Sequence, residues 1–164
     1  MSVVFCSVLA AQTLPAPTIN STPTPATRKP LPDAPGKETF LRVCSQCHSA
    51  DIVIFYDRSE EQWSYTVHQM ADNGANATDQ EFEQVLDYLI KYVAIIDMNT
   101  VDADTLERSL GISRNQADAI VGFRSGHGDF KSLEDLKQVP GVEFGQLEQK
   151  KDRLKFRPSV SAQN

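Results

Sequence analysis

The chain has 164 residues, 40% of them hydrophobic and 23% charged, enough for one ordinary domain or two small ones joined by a short connection. No apolar run approaches the roughly 20 residues of a membrane helix, so no span is expected. The net charge of −6 is unevenly laid out: residues 1–36 carry +1, residues 37–96 hold four bases against ten acids, and residues 97–164 hold ten bases against eleven acids. The acidic middle would repel nucleic acid and favour a basic protein partner.

The N-terminus opens on the apolar run MSVVFCSVLA, and Val8-Leu9-Ala10 ahead of Ala11 fits the small-residue rule for signal peptidase. Residues 1–11 therefore read as a signal peptide, which implies a periplasmic or otherwise exported location of Gram-negative type. No Lys or Arg precedes Arg28, pointing to a weak signal or to a start codon assigned too far downstream. Cys6 follows Phe5 where a lipoprotein signal needs a small residue, which argues against a lipid anchor. Residues 12–36 read as a linker, because seven of the nine prolines fall between Thr13 and Gly36 among Thr, Ala, Ser and Asn. Such a composition buries too little apolar surface to fold and favours extended polyproline conformation.

From Lys37 the helix signals are dense. A first helix is predicted from about Lys37 into Cys44, with Phe40, Leu41 and Cys44 on one side. A second starts at Ser59 with Gln62 closing a capping box, and stops near Gly74; a third starts at Thr78 with Glu81 in the same role and ends near Tyr92. From Ile96 the pattern becomes short helix, tight hairpin, helix, twice over. Asp102 caps the first of these helices, Leu110-Gly111-Ile112 turns the chain, and Ser113 with Gln116 starts the second. Ser132 starts the third, Val139-Pro140-Gly141-Val142 makes the second hairpin, and a fourth helix is predicted through Leu147 toward Leu154. No strand pattern is visible in this tail, so the expected class is all-α.

Between the first and second helices stands Cys44-Ser45-Gln46-Cys47-His48. Two thiols three residues apart on one turn can each add to a vinyl group of haem, while the adjacent imidazole coordinates the iron. CxxC alone would also suit a redox dithiol or half a zinc site. Zinc needs two more ligands, and a redox dithiol would want a strand-helix-strand pattern. The reading is one covalent haem c on Cys44 and Cys47, with His48 as an axial iron ligand. A segment of about 58 residues has a marginal core by itself, and a bound cofactor would supply the missing apolar contact.

Candidates for the sixth ligand are Met70, His68 and Met98, with His127 far off in the tail. On the second helix Trp63, Val67, Met70 and Gly74 share one stripe, and His68 points roughly 200° away from Met70. Because the Trp63 stripe is apolar, it should be the buried one and take Met70 with it; a Met so placed is also ordinary core filling. The segment resembles small class I type cytochrome c domains, through CxxCH and then Trp63, Val67, Met70, Gly74, Ala75, Tyr88 and Leu89. The resemblance covers about 60 residues and implies Met70 as the axial ligand, with His68 or an open site as alternatives. Histidine and methionine ligation would raise the potential and leave no site for substrate.

The tail resembles the tandem helix-hairpin-helix domain of the competence DNA-receptor (ComEA-like) family. The residues that carry this are Asn99-Thr100, Leu106, Gly111-Ile112, Ala117, Ile120-Val121, Phe123-Arg124, Phe130 to Leu136, Val139 to Val142, Leu147 and Leu154. In that family each hairpin reads approximately L-P-G-I-G, and its glycines let backbone N–H groups approach a phosphate. Gly111, Ile112, Gly141 and Val142 are thereby the candidate DNA-phosphate contacts. This chain departs from the pattern with Leu110 at the proline position, and with Ser113 and Glu143 at the second glycines. An anion at Glu143 should repel phosphate, although Arg114, Lys150, Lys151, Arg153, Lys155 and Arg157 could cluster to oppose it.

The sequence thus divides into a signal peptide (1–11), a proline-rich linker (12–36), a cytochrome c segment (37–95), a helix-hairpin-helix segment (96–157) and a tail (158–164). The leading reading is an exported monohaem electron carrier, not an enzyme, whose second module docks it to a partner, and whose redox partner is basic. The alternative is an exported DNA-binding protein of the uptake type, with haem as a structural or redox-sensing group. A haem enzyme such as a peroxidase would require an open coordination position.

Overall fold

A computed structural model describes residues 30–159. The expected signal peptide, Cys6 and most of the expected linker lie outside these residues. Helix α1 spans Lys37–Cys44, and the CxxCH turn leads from its end into a 3-10 turn, Ala50–Phe55. Helix α2 spans Glu60–Asp72 and α3 spans Asp79–Tyr88. The capping boxes expected at Ser59/Gln62 and Thr78/Glu81 are both formed, each side chain satisfying a backbone N–H that the helix itself leaves unpaired. Gly74, at φ 92, stops α2 in the left-handed region, where the Ala75 N–H returns to the Met70 carbonyl at 3.0 Å.

These elements close one core around Phe40, Val43, Trp63, Val85, Tyr88 and Leu89. Leu31 joins it at 8% exposure, so the last residues of the proline-rich stretch already pack against α3. α3 does not continue as regular helix to Tyr92. After Tyr88 it widens into a π turn, Leu89–Val93, closed by the Ala94 N–H on the Leu89 carbonyl at 2.7 Å.

A second core holds Met98, Leu106, Ile120, Phe130, Leu136 and Leu147. Helix α4, Ala103–Leu110, is capped by Asp102 as expected, and α5, Arg114–His127, by the Ser113/Gln116 box. The third tail element is a 3-10 turn, Leu133–Gln138, because Pro140 disfavours helical backbone at Val139. The fourth helix is shorter than predicted: α6 covers Phe144–Glu148, and the chain then tightens into a 3-10 turn, Lys151–Arg153.

The all-α class holds, with one exception that corrects the expectation of a strand-free tail. Strands β1 (Ile96–Asp97) and β2 (Leu154–Lys155) pair in parallel, Ile96 opposite Leu154 and Asp97 opposite Lys155. Two residues are too few to print an alternating pattern, and their partners lie 58 positions apart. The pairing ties the start of the second core to its end, and the Met98 N–H extends it to the Lys155 carbonyl at 2.9 Å. No helix among the described residues is long and apolar enough to cross a membrane.

Candidate functional site

Helices α1, α2 and α3 and the 3-10 turn after His48 surround a cavity of about 370 Å3, within the range typical of small-molecule and cofactor sites. Its deep wall is apolar, from Phe40, Val43, Val67, Phe82, Val85 and Leu89. Four residues singled out from the sequence, Cys44, Cys47, His48 and Met70, all line it. Cys44 and His48 arrive by way of the end of α1, and Met70 arrives on the α2 stripe with Trp63 and Val67, as the helical spacing requires.

Burial divides the chemistry. Cys44 is half-buried and its thiol is pushed up to about 11 by desolvation, so it stays neutral at physiological pH, whereas Cys47 and His48 are exposed. The His48 Nδ1 lies 3.1 Å from the Ser49 carbonyl. That hydrogen bond assigns the proton to Nδ1 and leaves the Nε2 lone pair for a metal, the arrangement in which a second partner orients a ligating histidine. Met70 is half-buried.

The competing ligands sit elsewhere. His68 is exposed outside the cavity wall, its Nδ1 2.7 Å from the Ser64 carbonyl one turn back. Met98 is fully buried in the second core, and His127 ends α5 with its ring stacked on Phe123 at 4.1 Å. Among the described residues no group of three or more His, Cys, Asp or Glu side chains could hold a bare metal ion. A larger, more open depression of about 710 Å3 along residues 33–39 and α3 holds none of the chain's Cys, His or Met side chains.

Sequence reasoning missed a polar part of the cavity lining. Trp63 is 2% exposed, and its Nε1 is buried with no hydrogen-bond partner among the described residues. Such a donor is costly unless something supplies an acceptor. Beside it the Arg58 guanidinium lies 5.3 Å from the Trp63 ring centre and 5.0 Å from that of Tyr56, and donates to the Thr66 hydroxyl. All four side chains line the cavity. The signal available in the sequence was that Arg58 is the lone base between Arg42 and Lys91 in a strongly acidic stretch. The cavity lining thus includes a cation beside an indole with an unpaired N–H, suited to carboxylates, together with two thiols, an imidazole and a thioether. This set could hold a metalloporphyrin bearing acid side chains.

In the tail, the candidate phosphate contacts sit on two hairpins whose glycines are exposed, and Gly111 and Gly141 adopt φ 62 and 79, which only glycine tolerates readily. Much of the hairpin donor set is already used. The Gly111 N–H goes to Glu107 at 2.8 Å, that of Ser113 to the Gln116 side chain at 3.1 Å, and that of Val142 to Val139 at 3.4 Å. Ile112 is buried in the core. Several of the cations are similarly committed, while Lys151 and Arg157 are exposed. Arg114 is held by Asp104 and Asp118, Lys137 by Glu134, and Lys155 by Asp57, while Lys150 donates to the Leu110 carbonyl. Arg124 and Arg153 are turned inward onto backbone carbonyls.

An uncharacterized protein of Haemophilus influenzae (strain ATCC 51907 / DSM 11121 / KW20 / Rd) is 39% identical over 62 residues, which are 37% of this chain and 55% of that protein. The chain thus spans about half the length of this curated relative. No solved structure matches the chain. Residues 92–155 match the helix-hairpin-helix motif, and the two helical hairpins seen there agree, so this part of the chain is a helix-hairpin-helix domain.

Proposed function

We propose that the chain is an exported c-type cytochrome that carries electrons through one covalently bound haem. The observation that carries this reading is the collection, in one largely apolar cavity, of Cys44, Cys47, His48 and Met70 with Trp63, whose Nε1 is unpaired, and the Arg58 guanidinium. Cys44 and Cys47 would hold the porphyrin as thioethers, His48 and Met70 would hold the iron, and Arg58 and Trp63 would receive its carboxylates. When bound, haem supplies a reversible one-electron couple. The chain's part would be to keep water from the apolar wall and to hold the His48 ring by its Nδ1 proton. If His48 and Met70 both hold the iron, no ligand position is left for a substrate, so the reading is carriage and not catalysis. The acidic balance of residues 37–96, ten acids against four bases, favours a basic redox partner. The apolar N-terminal run supports export to the periplasm.

The test is the absorption spectrum of protein expressed together with c-type maturation machinery. We expect a reduced-minus-oxidised haem c spectrum that survives acid extraction in the native chain and is lost in the Cys44→Ala/Cys47→Ala pair. Met70→Ala should lose the near-infrared band of methionine on ferric iron and admit carbon monoxide. Absence of covalent haem in the native chain would sink the proposal.

A second reading is favoured by the helix-hairpin-helix match at residues 92–155, a motif that in the resembled family contacts DNA backbone. On that reading the chain binds nucleic acid, as in DNA uptake, with the first module as a structural or redox-sensing group. Glu143 weighs against it, as does the pairing of Arg114, Lys137 and Lys155 with carboxylates, although Lys151 and Arg157 are exposed. Salt-sensitive retention of duplex DNA by the purified protein in a gel shift would support it, and no retention at low salt would remove it.

A further inference from the structure

The segment from Tyr56 to Glu60 borders the cavity on one side and the helix-hairpin-helix domain on the other. Three contacts reach it from the tail side. Lys155 of β2 pairs with Asp57 at 3.0 Å. The Ile95 N–H, in the connection between the two cores, donates to the Arg58 carbonyl at 2.9 Å. On α4, Arg108 donates to one oxygen of Glu60 at 2.9 Å and the buried Ser109 hydroxyl to the other at 3.1 Å. A carboxylate engaged on both oxygens by a neighbouring helix is fixed in direction as well as position. Between these anchors stands Arg58, whose side chain crosses to the cavity and lies over Trp63.

We propose that the helix-hairpin-helix domain acts as a positioning element for the cavity: by clamping Asp57, the Arg58 backbone and Glu60, it holds the Arg58 cation over Trp63 and so sets the electrostatics of the site. This rests on the haem reading above for what the cation faces, namely carboxylates of the cofactor. It gives the appended domain a role that needs no nucleic acid. A cation held close to the cofactor favours its reduced, less positive state, so loosening Arg58 should lower the midpoint potential. Arg108 and Lys155 are positioning residues in this scheme, and their own charges act only from a distance.

A double-mutant cycle separates the two effects. Arg108→Ala with Lys155→Ala is combined with Arg58→Met, and the midpoint potential of each haem-loaded protein is measured at pH 7. The expected result is a lowered potential in the Arg58 background, most of which vanishes in the Arg58→Met background, where only the direct charge effect remains. Equal shifts in the two backgrounds, or no shift in the first, would overturn the proposal. Should the double alanine variant lose its helical circular dichroism, Glu60→Gln takes its place in the same cycle. If the native chain carries no haem, the cytochrome reading fails by itself. The near-ultraviolet dichroism of Trp63, the chain's single tryptophan, then decides the clamp: a changed band on loss of Arg108 and Lys155 that requires Arg58 supports it, and an unchanged band refutes it.

Discussion

Tyr88 is fully buried in the first core, stacked on Phe40 at 5.2 Å, and its hydroxyl donates to the Pro32 carbonyl at 2.8 Å. Desolvation, reinforced by the negative charge of Asp33, pushes the phenol up to about 12. An unfolded tyrosine ionises near 10, so between about pH 10 and pH 12 the unfolded chain has lost a proton that the native chain keeps. Stability from this group is therefore full below pH ~10 and is lost as pH rises through 12. Tyr88→Phe should cost about 1 kcal/mol at pH 7, the net worth of one hydrogen bond, and the gap between native and variant in urea unfolding should close near pH ~10.7 and reverse above it. At this scale the sequence was legible where chemistry demands a residue type: Cys44, Cys47, His48 and Met70 all reach the cavity. It was not legible where a role depends on tertiary surroundings. Asn99 shows this, since its amide bridges the Phe130 backbone and the Arg157 carbonyl, partners 31 and 58 residues away.

At the scale of elements, local signals worked where they were truly local. Each helix with a Ser, Thr or Asp cap begins where the cap places it, because cap and capped N–H lie within three residues. The 3-10 turn Ala50–Phe55 passed unnoticed, having neither a cap bond nor a full period of apolar residues, yet it brings Ile52 and Val53 to the cavity. Ser113 is the informative departure from the resembled family, where glycine stands. Here its hydroxyl accepts from the Gln116 N–H at 3.3 Å and its own N–H donates to the Gln116 side chain. Ser113→Ala should therefore cost about 1 kcal/mol, while Ser113→Gly should cost only a few tenths. Melting curves should rank serine above glycine above alanine, with alanine down by about 2–4 °C. Glycine equal to or below alanine would show that the box carries no stability.

For the whole molecule the governing question is whether two cores behave as one. The charge pattern suggested that Arg153 could join a phosphate-binding cluster, but it is 9% exposed and directed between the cores. Its guanidinium donates to Ala94 at 2.7 Å, Ile90 at 2.5 Å, Ser109 at 3.3 Å, and also to Lys91. Three of those carbonyls belong to the π turn after α3 and its exit, where widening frees acceptors that a regular helix would have used, and the fourth lies near the end of α4. Burial lowers the guanidinium to about 10, which still leaves it charged at neutral pH. Hydrogen bonds from a charged donor are worth more than neutral ones, and removing the donor leaves four carbonyls to find water at a closed interface. Arg153→Leu should thus cost about 3 kcal/mol or more, and the loss should fall on the coupling between the cores more than on either core. Calorimetry is the appropriate measure. The native chain should melt in one transition whose calorimetric and van't Hoff enthalpies agree, and Arg153→Leu should split or broaden it so that the calorimetric value exceeds the van't Hoff one. A variant that melts in a single transition at a lower temperature would mean that the β1–β2 pair and the Glu60 contacts suffice to hold the modules together, and that Arg153 contributes to stability without governing cooperativity.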